Sequence, residues 1–254
     1  MKTPVSVVIL TKNEEGRIEE CLRSVEWADE IIVVDDLSAD STVKIASKYA
    51  QKVISRKMDV EGTHRNWAYS QARNDWVLSL DADERVTPEL RDGIRKALED
   101  NIRYTGFSVQ RRNYIGDYWV RHGGWYPGGQ LRLFMKDKFK YEEVEVHPRA
   151  FLDGESGHIR ADLIHYSYKG FADFLEKLNS QSGREALKWF KAGRKMSLGH
   201  ALWRAVDRFF RGYIGKGAYK DGFTGFMVSY FASMYQIMSY AKFWEMKRKE
   251  KERK

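Results

Sequence analysis

One cysteine, Cys21, in 254 residues excludes an internal disulfide framework and fits a reducing compartment. Proline is nearly as scarce: of the four, none follows Pro148, so the C-terminal stretch lacks the residue that most strongly interrupts helices. No Gly-x-Gly-x-x-Gly follows the first apolar run, so the ordinary dinucleotide fingerprint is missing. That run, Val5 to Leu10, is short and preceded by one Lys, which is not the pattern of a signal peptide. Core-forming residues are not lacking. A chain 43% hydrophobic and 31% charged is ordinarily globular, and this length suffices for one good core, or a main domain with a smaller appendage.

Acidic charge is short in one part only. Up to residue 155 there are 24 Lys and Arg against 27 Asp and Glu, or −3; from residue 156 onward there are 20 against 9, or +11, and the sum is the net +8. A basic segment with Trp, Phe and Tyr among its charges suits nucleic acid, an anionic membrane surface or an acidic substrate. Here the rings recur on apolar helix faces instead of alternating with the bases, and no nucleic-acid recognition module is present. That pattern points to a membrane and away from nucleic acid.

The chain is organised around Asp75 to Arg85, which reads Asp-Trp-Val-Leu-Ser-Leu-Asp-Ala-Asp-Glu-Arg. Trp76 to Leu80 reads as a buried strand that ends in three carboxylates, Asp81, Asp83 and Glu84. Alternation sends Asp81 and Asp83 to one side with the small Ala82 between them, which suits a hard divalent cation that keeps room for water and substrate phosphates. Taken alone, the same residues read equally well as a solvated turn before a helix. Val5 to Leu10 and Glu30 to Val34 are two further strands buried on both faces, ending at Thr11-Lys12-Asn13-Glu14 and at Asp35-Asp36. Asn13 is placed to cap a helix with Ile18, Cys21, Leu22 and Val25 inward. Lys52 to Ser55 is a short strand, and Gly62 to Arg73 a helix with Trp67, Ala68 and Ala72 inward. This alternation predicts an open α/β fold with a mostly parallel sheet, whose ligand crevice lies beyond the carboxyl ends of the strands. Thr11, Asn13, Glu14, Asp36, Asp81 and Asp83 should therefore face one crevice. There Asp36 can accept hydrogen bonds from a base or ribose, while Asp81 and Asp83 hold a cation that neutralises a diphosphate.

Val-Val-Ile-Leu-Thr-Lys-Asn-Glu, Ile-Ile-Val-Val-Asp-Asp-Leu-Ser-Ala-Asp-Ser-Thr and Leu-Asp-Ala-Asp-Glu, in that order and at those intervals, resemble the GT-A fold, family 2 glycosyltransferases. The resemblance implies an inverting enzyme that takes a sugar from a nucleotide diphosphate, commonly uridine diphosphate, with Mg²⁺ or Mn²⁺. By it Asp36 contacts the base, Asp81 the ribose or the metal, and Asp83 the metal. Arg65-Asn66-Trp67 matches the helix that lies along the donor in similar proteins, so Arg65 is either a phosphate ligand or an exposed helical arginine.

Beyond Thr87, where Pro88 opens a helix with Leu90, Ile94 and Leu98 inward, Gly106 to Asn113 and Leu131 to Phe134 read as strands. They flank the Gly-rich loop His122 to Gln130. Its Trp125 and Tyr126 either stack on a sugar, with Arg132 as a further acceptor-side candidate, or tuck into the core. The Trp-Tyr-Pro…Leu-Arg-Leu-Phe, Val-His and His-Tyr-Ser-Tyr segments look like the subgroup containing lipopolysaccharide inner-core β-glucosyltransferases. In that subgroup Val-His is usually followed by Glu, a suitable general base; this chain has Pro148 instead. Inversion needs a base to take the acceptor hydroxyl proton, and the candidates are then Glu145 and His147. His165 completes the metal site, contacts the diphosphate, or is a satisfied core histidine.

From Phe171 the chain reads helical, with apolar stripes separated by cations, as in helices that lie in an interface. Gly222 to Ala241 is uncharged over 20 residues, long enough to span a bilayer. Yet Phe223, Met227, Tyr230, Phe231 and Met234 share one face, and Thr224, Ser229, Ser233, Gln236 and Ser239 the other, which favours a packed or interfacial helix. The expected organisation is a catalytic domain over 1–168 and a basic aromatic extension over 169–254 that associates with acceptor and membrane. The expected function is transfer of a hexose, from UDP-glucose, onto a lipid-linked saccharide such as lipopolysaccharide core. The enzyme would be cytoplasmic and peripheral at the inner membrane. Transfer to polyprenyl phosphate is one alternative, and a non-catalytic membrane scaffold on a nucleotide fold is another.

Overall fold

The structure is a computed structural model that describes residues 3–101, 103–144 and 149–252, so Glu145 and His147 lie outside the described residues. The elements follow in the order β1 (Val5–Thr11), α1 (Ile18–Arg23), β2 (Glu30–Asp35), α2 (Thr42–Ala46), β3 (Lys52–Ser55), α3 (Glu61–Ser70) and β4 (Trp76–Asp81). Next come β5 (Glu84–Val86), α4 (Pro88–Glu99), β6 (Tyr104–Ile115), β7 (Tyr118–Val120), β8 (Gly129–Met135), β9 (Phe139–Tyr141), β10 (Ala150–Leu152) and β11 (Glu155–Tyr168). Three helices complete the chain: α5 (Phe171–Lys191), α6 (Leu198–Phe210) and α7 (Gly222–Glu252).

These elements form two compact units, one of Met1–Arg111 with Gly128–His165, the other of Arg112–Pro127 with Tyr166–Lys254. The boundary expected at 168 is thereby redrawn. The aromatic loop belongs with the helices, because its hairpin joins their apolar cluster and not that of the sheet.

In the first unit the sheet order is β3-β2-β1-β4-β8-β6-β11-β5. The strands β3, β2, β1 and β4 are parallel, as the strand–helix alternation predicts; β8 then joins β4 antiparallel, and β5 joins β11 antiparallel. Val7, Ile9, Val33, Leu78 and Leu80 pack with Ile18, Leu22, Leu90 and Ile94 on one face of the sheet, while Val8, Ile32, Val34 and Val77 meet Ala68, Tyr69 and Phe134 on the other. Burial on both faces is why these strands carry unbroken β-branched runs. Cys21 sits in this core, where burial pushes its thiol up to about 12 and leaves it unreactive. Pro88 opens α4, with Thr87 as its cap: the Thr87 hydroxyl accepts from the Leu90 N–H at 3.1 Å.

Asn13 does not cap α1, contrary to its sequence reading. The helix begins at Ile18 behind Arg17, and the Asn13 side chain instead accepts from the Ala39 N–H at 2.8 Å, with Asn13 itself at φ 52°. Asn tolerates that left-handed conformation better than most residues, so it serves the loop and not the helix.

In the second unit β7 pairs with the end of β6, and the hairpin is anchored by Asp221. That buried carboxylate accepts from the Arg121 and His122 N–H groups at 3.1 and 2.8 Å and from the Tyr118 hydroxyl at 3.3 Å, and it pairs with His122 Nδ1 at 3.0 Å. Ile115, Val120, Phe174, Leu178, Val228 and Phe231 form the adjoining core. Trp125 packs into it, 6.2 Å from the Tyr168 ring and 6.1 Å from that of Phe174, so the core alternative describes this ring. Tyr126 stands edge-on to Trp119 at 5.2 Å.

The helical stretch breaks twice, at 192–197 and at 211–221, the second time through a π turn, Arg211–Gly215, and a 3-10 turn, Ala218–Asp221. No helix among the described residues is long and apolar enough to cross a membrane. The one-sided ring face expected for α7 is not kept: Val228, Phe231 and Phe243 are buried together with Ser229, Gln236 and Ser239, whereas Phe223, Tyr230 and Ile237 are exposed.

Gly62 gives this packing a sharp test. A Cβ there would lie 1.8 Å from the Glu142 carbonyl oxygen, too close for backbone to accommodate without moving. Helix propensity alone favours Gly→Ala by about 1 kcal/mol. We expect the clash to win, with Gly62→Ala destabilising by roughly 1–3 kcal/mol in chemical denaturation. Gly16→Ala, which meets nothing within 4 Å, should change stability by less than about 0.5 kcal/mol.

Candidate functional site

Three strands of the first unit end side by side because their registers align. Thr11 lies opposite Asp35 across β1 and β2, and Leu10 opposite Asp81 across β1 and β4. The loops that leave them are stitched together: Asn13 N–H donates to Ser38 Oγ and Glu14 N–H to Thr42 Oγ1, both at 2.8 Å. The main chain at Asn13 and Glu14 thus fixes the β1 loop to the β2 loop.

Asp36 lies just past β2, buried, with one carboxylate oxygen 2.7 Å from Lys12 Nζ and the other accepting from the Met58 N–H at 2.7 Å. Burial alone would raise its pKa; the Lys12 ammonium and the Met58 N–H outweigh burial and hold the carboxyl below its usual value. Near it, His64 accepts a hydrogen bond from Arg56 at Nδ1, 2.8 Å away, and burial together with the Arg56 charge keeps its pKa low and the ring neutral.

The turn after β4 is built around Glu84, whose side chain is 0% exposed. Glu84 accepts from the Asp81 N–H at 3.0 Å and from Arg132, which also reaches Asp81 Oδ2 at 3.2 Å; Arg111 stands 3.7 Å from Glu84. Arg65 binds the other oxygen of Asp81 at 3.1 Å. Burial would raise the Asp81 carboxyl, but Arg65 and Arg132 hold it well below the usual carboxylate range. Burial lowers the Arg132 pKa and Glu84 and Asp81 raise it, with the net shift upward, so the guanidinium stays charged. Arg85 closes the turn from beneath, donating to the carbonyls of Ala82, Glu84 and Arg17 at 2.9, 2.8 and 2.6 Å.

Asp83 adjoins this cluster and has a partner of its own. The pairing of β5 with β11 sets His165 opposite Glu84, and this register brings His165 Nε2 to 3.4 Å from Asp83 Oδ2. Asp83 Oδ1, Arg65 Nη1 and Thr11 Oγ1 are buried polar atoms without a hydrogen-bond partner in the protein. Buried polar atoms are rarely left so, and orphans of both signs at one set of strand ends are the mark of a surface shaped for a charged ligand. Among the described residues no group of three or more His, Cys, Asp and Glu encloses a metal by itself. Asp83 and His165 are nonetheless suited to share a cation with ligand oxygens, as a hard divalent ion beside phosphates is commonly held.

The structure therefore brings together Asp81, Asp83, Arg65, Arg132 and His165, with Thr11 and Asp36 on the neighbouring strand ends. Arg132, expected near the sugar loop, lies buried in β8 as the counter-ion of two carboxylates. Trp125 and Tyr126 belong to the second unit. Sequence reasoning gave no role to Glu84, Arg85 or Lys12. A third acid directly after Asp-x-Asp was the available signal, since an acid at the end of a buried strand needs a cation nearby.

Residues 6–152 match the profile described as Glycosyl transferase family 2. The chain belongs to that family. This glycosyltransferase is 25% identical over 251 residues to the lipopolysaccharide core biosynthesis glycosyltransferase LpsC of Rhizobium meliloti, covering 96% of this chain and 93% of that one. It is 29% identical over 261 residues to an uncharacterised glycosyltransferase of Rickettsia typhi, covering 97% and 89%. Among solved structures, mannosyl-3-phosphoglycerate synthase of Rubrobacter xylanophilus overlaps 77% of this chain and 76% of its own, at 18% identity and a TM-score of 0.49.

Two outcomes follow for this glycosyltransferase. Arg132→Leu leaves the buried Glu84 with only the more distant Arg111, at 3.7 Å, and should cost about 3–5 kcal/mol in chemical denaturation. Asp36, with its pKa depressed on folding, contributes stability that is complete above the unfolded carboxylate value of about 3.9 and is lost as pH falls through the folded value. Denaturation midpoints at successively lower pH should show the difference between wild type and Asp36→Asn shrinking once that unfolded value is passed.

Proposed function

We propose that this family 2 glycosyltransferase transfers a hexose, glucose from UDP-glucose, with inversion, onto a lipid-linked saccharide of the lipopolysaccharide-core kind. The observation that carries the reading is the presence of orphaned polar atoms of both signs among the residues of the strand-end cluster and α3: Asp83 Oδ1, Arg65 Nη1 and Thr11 Oγ1. Their chemistry matches a nucleotide diphosphate that arrives with a divalent cation. Likeness to LpsC along nearly the whole chain supports the acceptor class.

In this reading Asp36 accepts hydrogen bonds from the base or ribose, with Lys12 keeping it ionised. Arg65 offers its unused N–H to the diphosphate, and Asp81, clamped between two guanidinium groups, presents its carboxylate towards the ribose. Asp83 and His165 would hold Mg²⁺ or Mn²⁺, which when bound neutralises charge on the leaving diphosphate. The acceptor hydroxyl loses its proton to Glu145 or His147. A lipid-linked acceptor sets the reaction at an anionic membrane surface, on the cytoplasmic face of the inner membrane.

Calorimetry against UDP-, GDP-, CDP- and dTDP-sugars, with and without Mn²⁺, tests the donor site. We expect a UDP-hexose to bind with metal, and Asp83→Ala to abolish the metal-dependent part. Glu145→Gln or His147→Asn should leave donor binding intact and lower kcat by about 10²–10⁴-fold. Absence of binding by every nucleotide sugar would overturn the reading.

A further inference from the structure

The second unit carries its largest apolar side chains on the outside. In α6 the buried positions are Ala201 and Ala205, so the helix meets its own unit through methyl groups and turns Leu202, Trp203, Val206 and Phe210 outward. Trp203 is 61% exposed and Phe210 57%. Ile214 in the π turn and Phe223 at the start of α7, 69% exposed, add to the apolar surface of this unit. Ring contacts make it continuous: Phe210 meets Phe209 at 5.4 Å, Phe209 meets Phe226 at 5.8 Å, and Phe226 stacks on Tyr230 at 6.2 Å.

Charge identifies what covers the surface. From residue 184 to 220 there are ten Lys and Arg (184, 188, 191, 194, 195, 204, 208, 211, 216 and 220) against two acids, Glu185 and Asp207. Arg208, Arg211, Lys216 and Lys220 are exposed beside the apolar side chains. A second copy of the chain docking face to face would set these cations against their own kind, whereas an anionic bilayer offers hydrocarbon to the rings and phosphates to the cations. No described helix can cross that bilayer, so the fit is in its plane.

We propose that α6, the π turn and the first turns of α7 form a membrane-inserting face, with the Trp203–Phe210–Phe223 surface sunk to the acyl boundary of an anionic leaflet and the flanking Arg and Lys at its headgroups. This deepens the membrane-surface reading above and rests on it for its biological sense, but its test is independent of catalysis. The full chain is floated with vesicles of phosphatidylcholine alone and of phosphatidylcholine mixed with phosphatidylglycerol. Wild type should float with the anionic vesicles, more weakly at high salt, and hardly at all with the neutral ones. Trp203→Ser with Phe210→Ser should weaken anionic-vesicle binding about tenfold or more, and Arg208→Gln with Arg211→Gln severalfold. All of these positions are exposed, and the helical circular dichroism signal and thermal midpoint of each variant report that the second unit remains folded. If no nucleotide sugar binds even wild type, the transferase reading fails alone, because flotation is read directly. The membrane proposal is overturned if wild type does not float, if the Trp203/Phe210 variant floats as wild type does, or if light scattering shows a wild-type dimer that this variant dissolves.

Discussion

Glu84 is a carboxylate with no access to water, and the strand-end cluster of this glycosyltransferase is assembled from the groups that compensate it. Arg132 and Arg111 supply positive charge, and the Asp81 N–H supplies a hydrogen bond. Such a buried network contributes little net stability compared with an apolar core, because desolvating the charges costs about what their attraction returns. Its use lies in direction. The guanidinium that neutralises Glu84 also grips Asp81, so the orientation of a partly exposed acid is fixed through one that is wholly buried.

The second unit repeats the device with another acid. Asp221 collects two backbone N–H groups, a hydroxyl and an imidazole from one hairpin, and so fastens that hairpin to the turn before α7. Hydrogen bonds to an ionised acceptor are about twice as strong as neutral ones, which explains why a single side chain suffices where the apolar contact is modest.

The parallel half of the sheet was legible because strands buried on both faces must be unbroken runs of Val, Ile and Leu, and because their ends are marked by acids. The part of Asn13 was not, since an Asn before a helix serves equally well as a cap or as a left-handed loop residue, and only the neighbouring loop decides. The boundary near 168 misplaced Arg112–Pro127 because β6 passes from one unit to the other without any change of composition. In α7 the two faces read from the pattern do not survive, because Phe231 of the ring face is buried beside Ser229 and Gln236 of the other: the helix packs against more than one neighbour, and periodicity describes a single contact face. Arg132 looked like a loop-side cation for a related reason. Its partners Asp81 and Glu84 are distant in sequence and become neighbours only when β8 joins β4.

Two adjacent residues of α3 point to different duties. Arg65 holds Asp81, while Asn66 exchanges two hydrogen bonds with the backbone of Tyr141, at 2.9 and 2.8 Å, where β9 ends. Gly62, one turn earlier, lets the helix lie against the Glu142 carbonyl. The helix is therefore a rigid lever with one arm in the crevice and the other on the strand that leads towards Glu145 and His147. One turn of helix thus ties the Asp81 carboxylate and the backbone at Tyr141 to a common element.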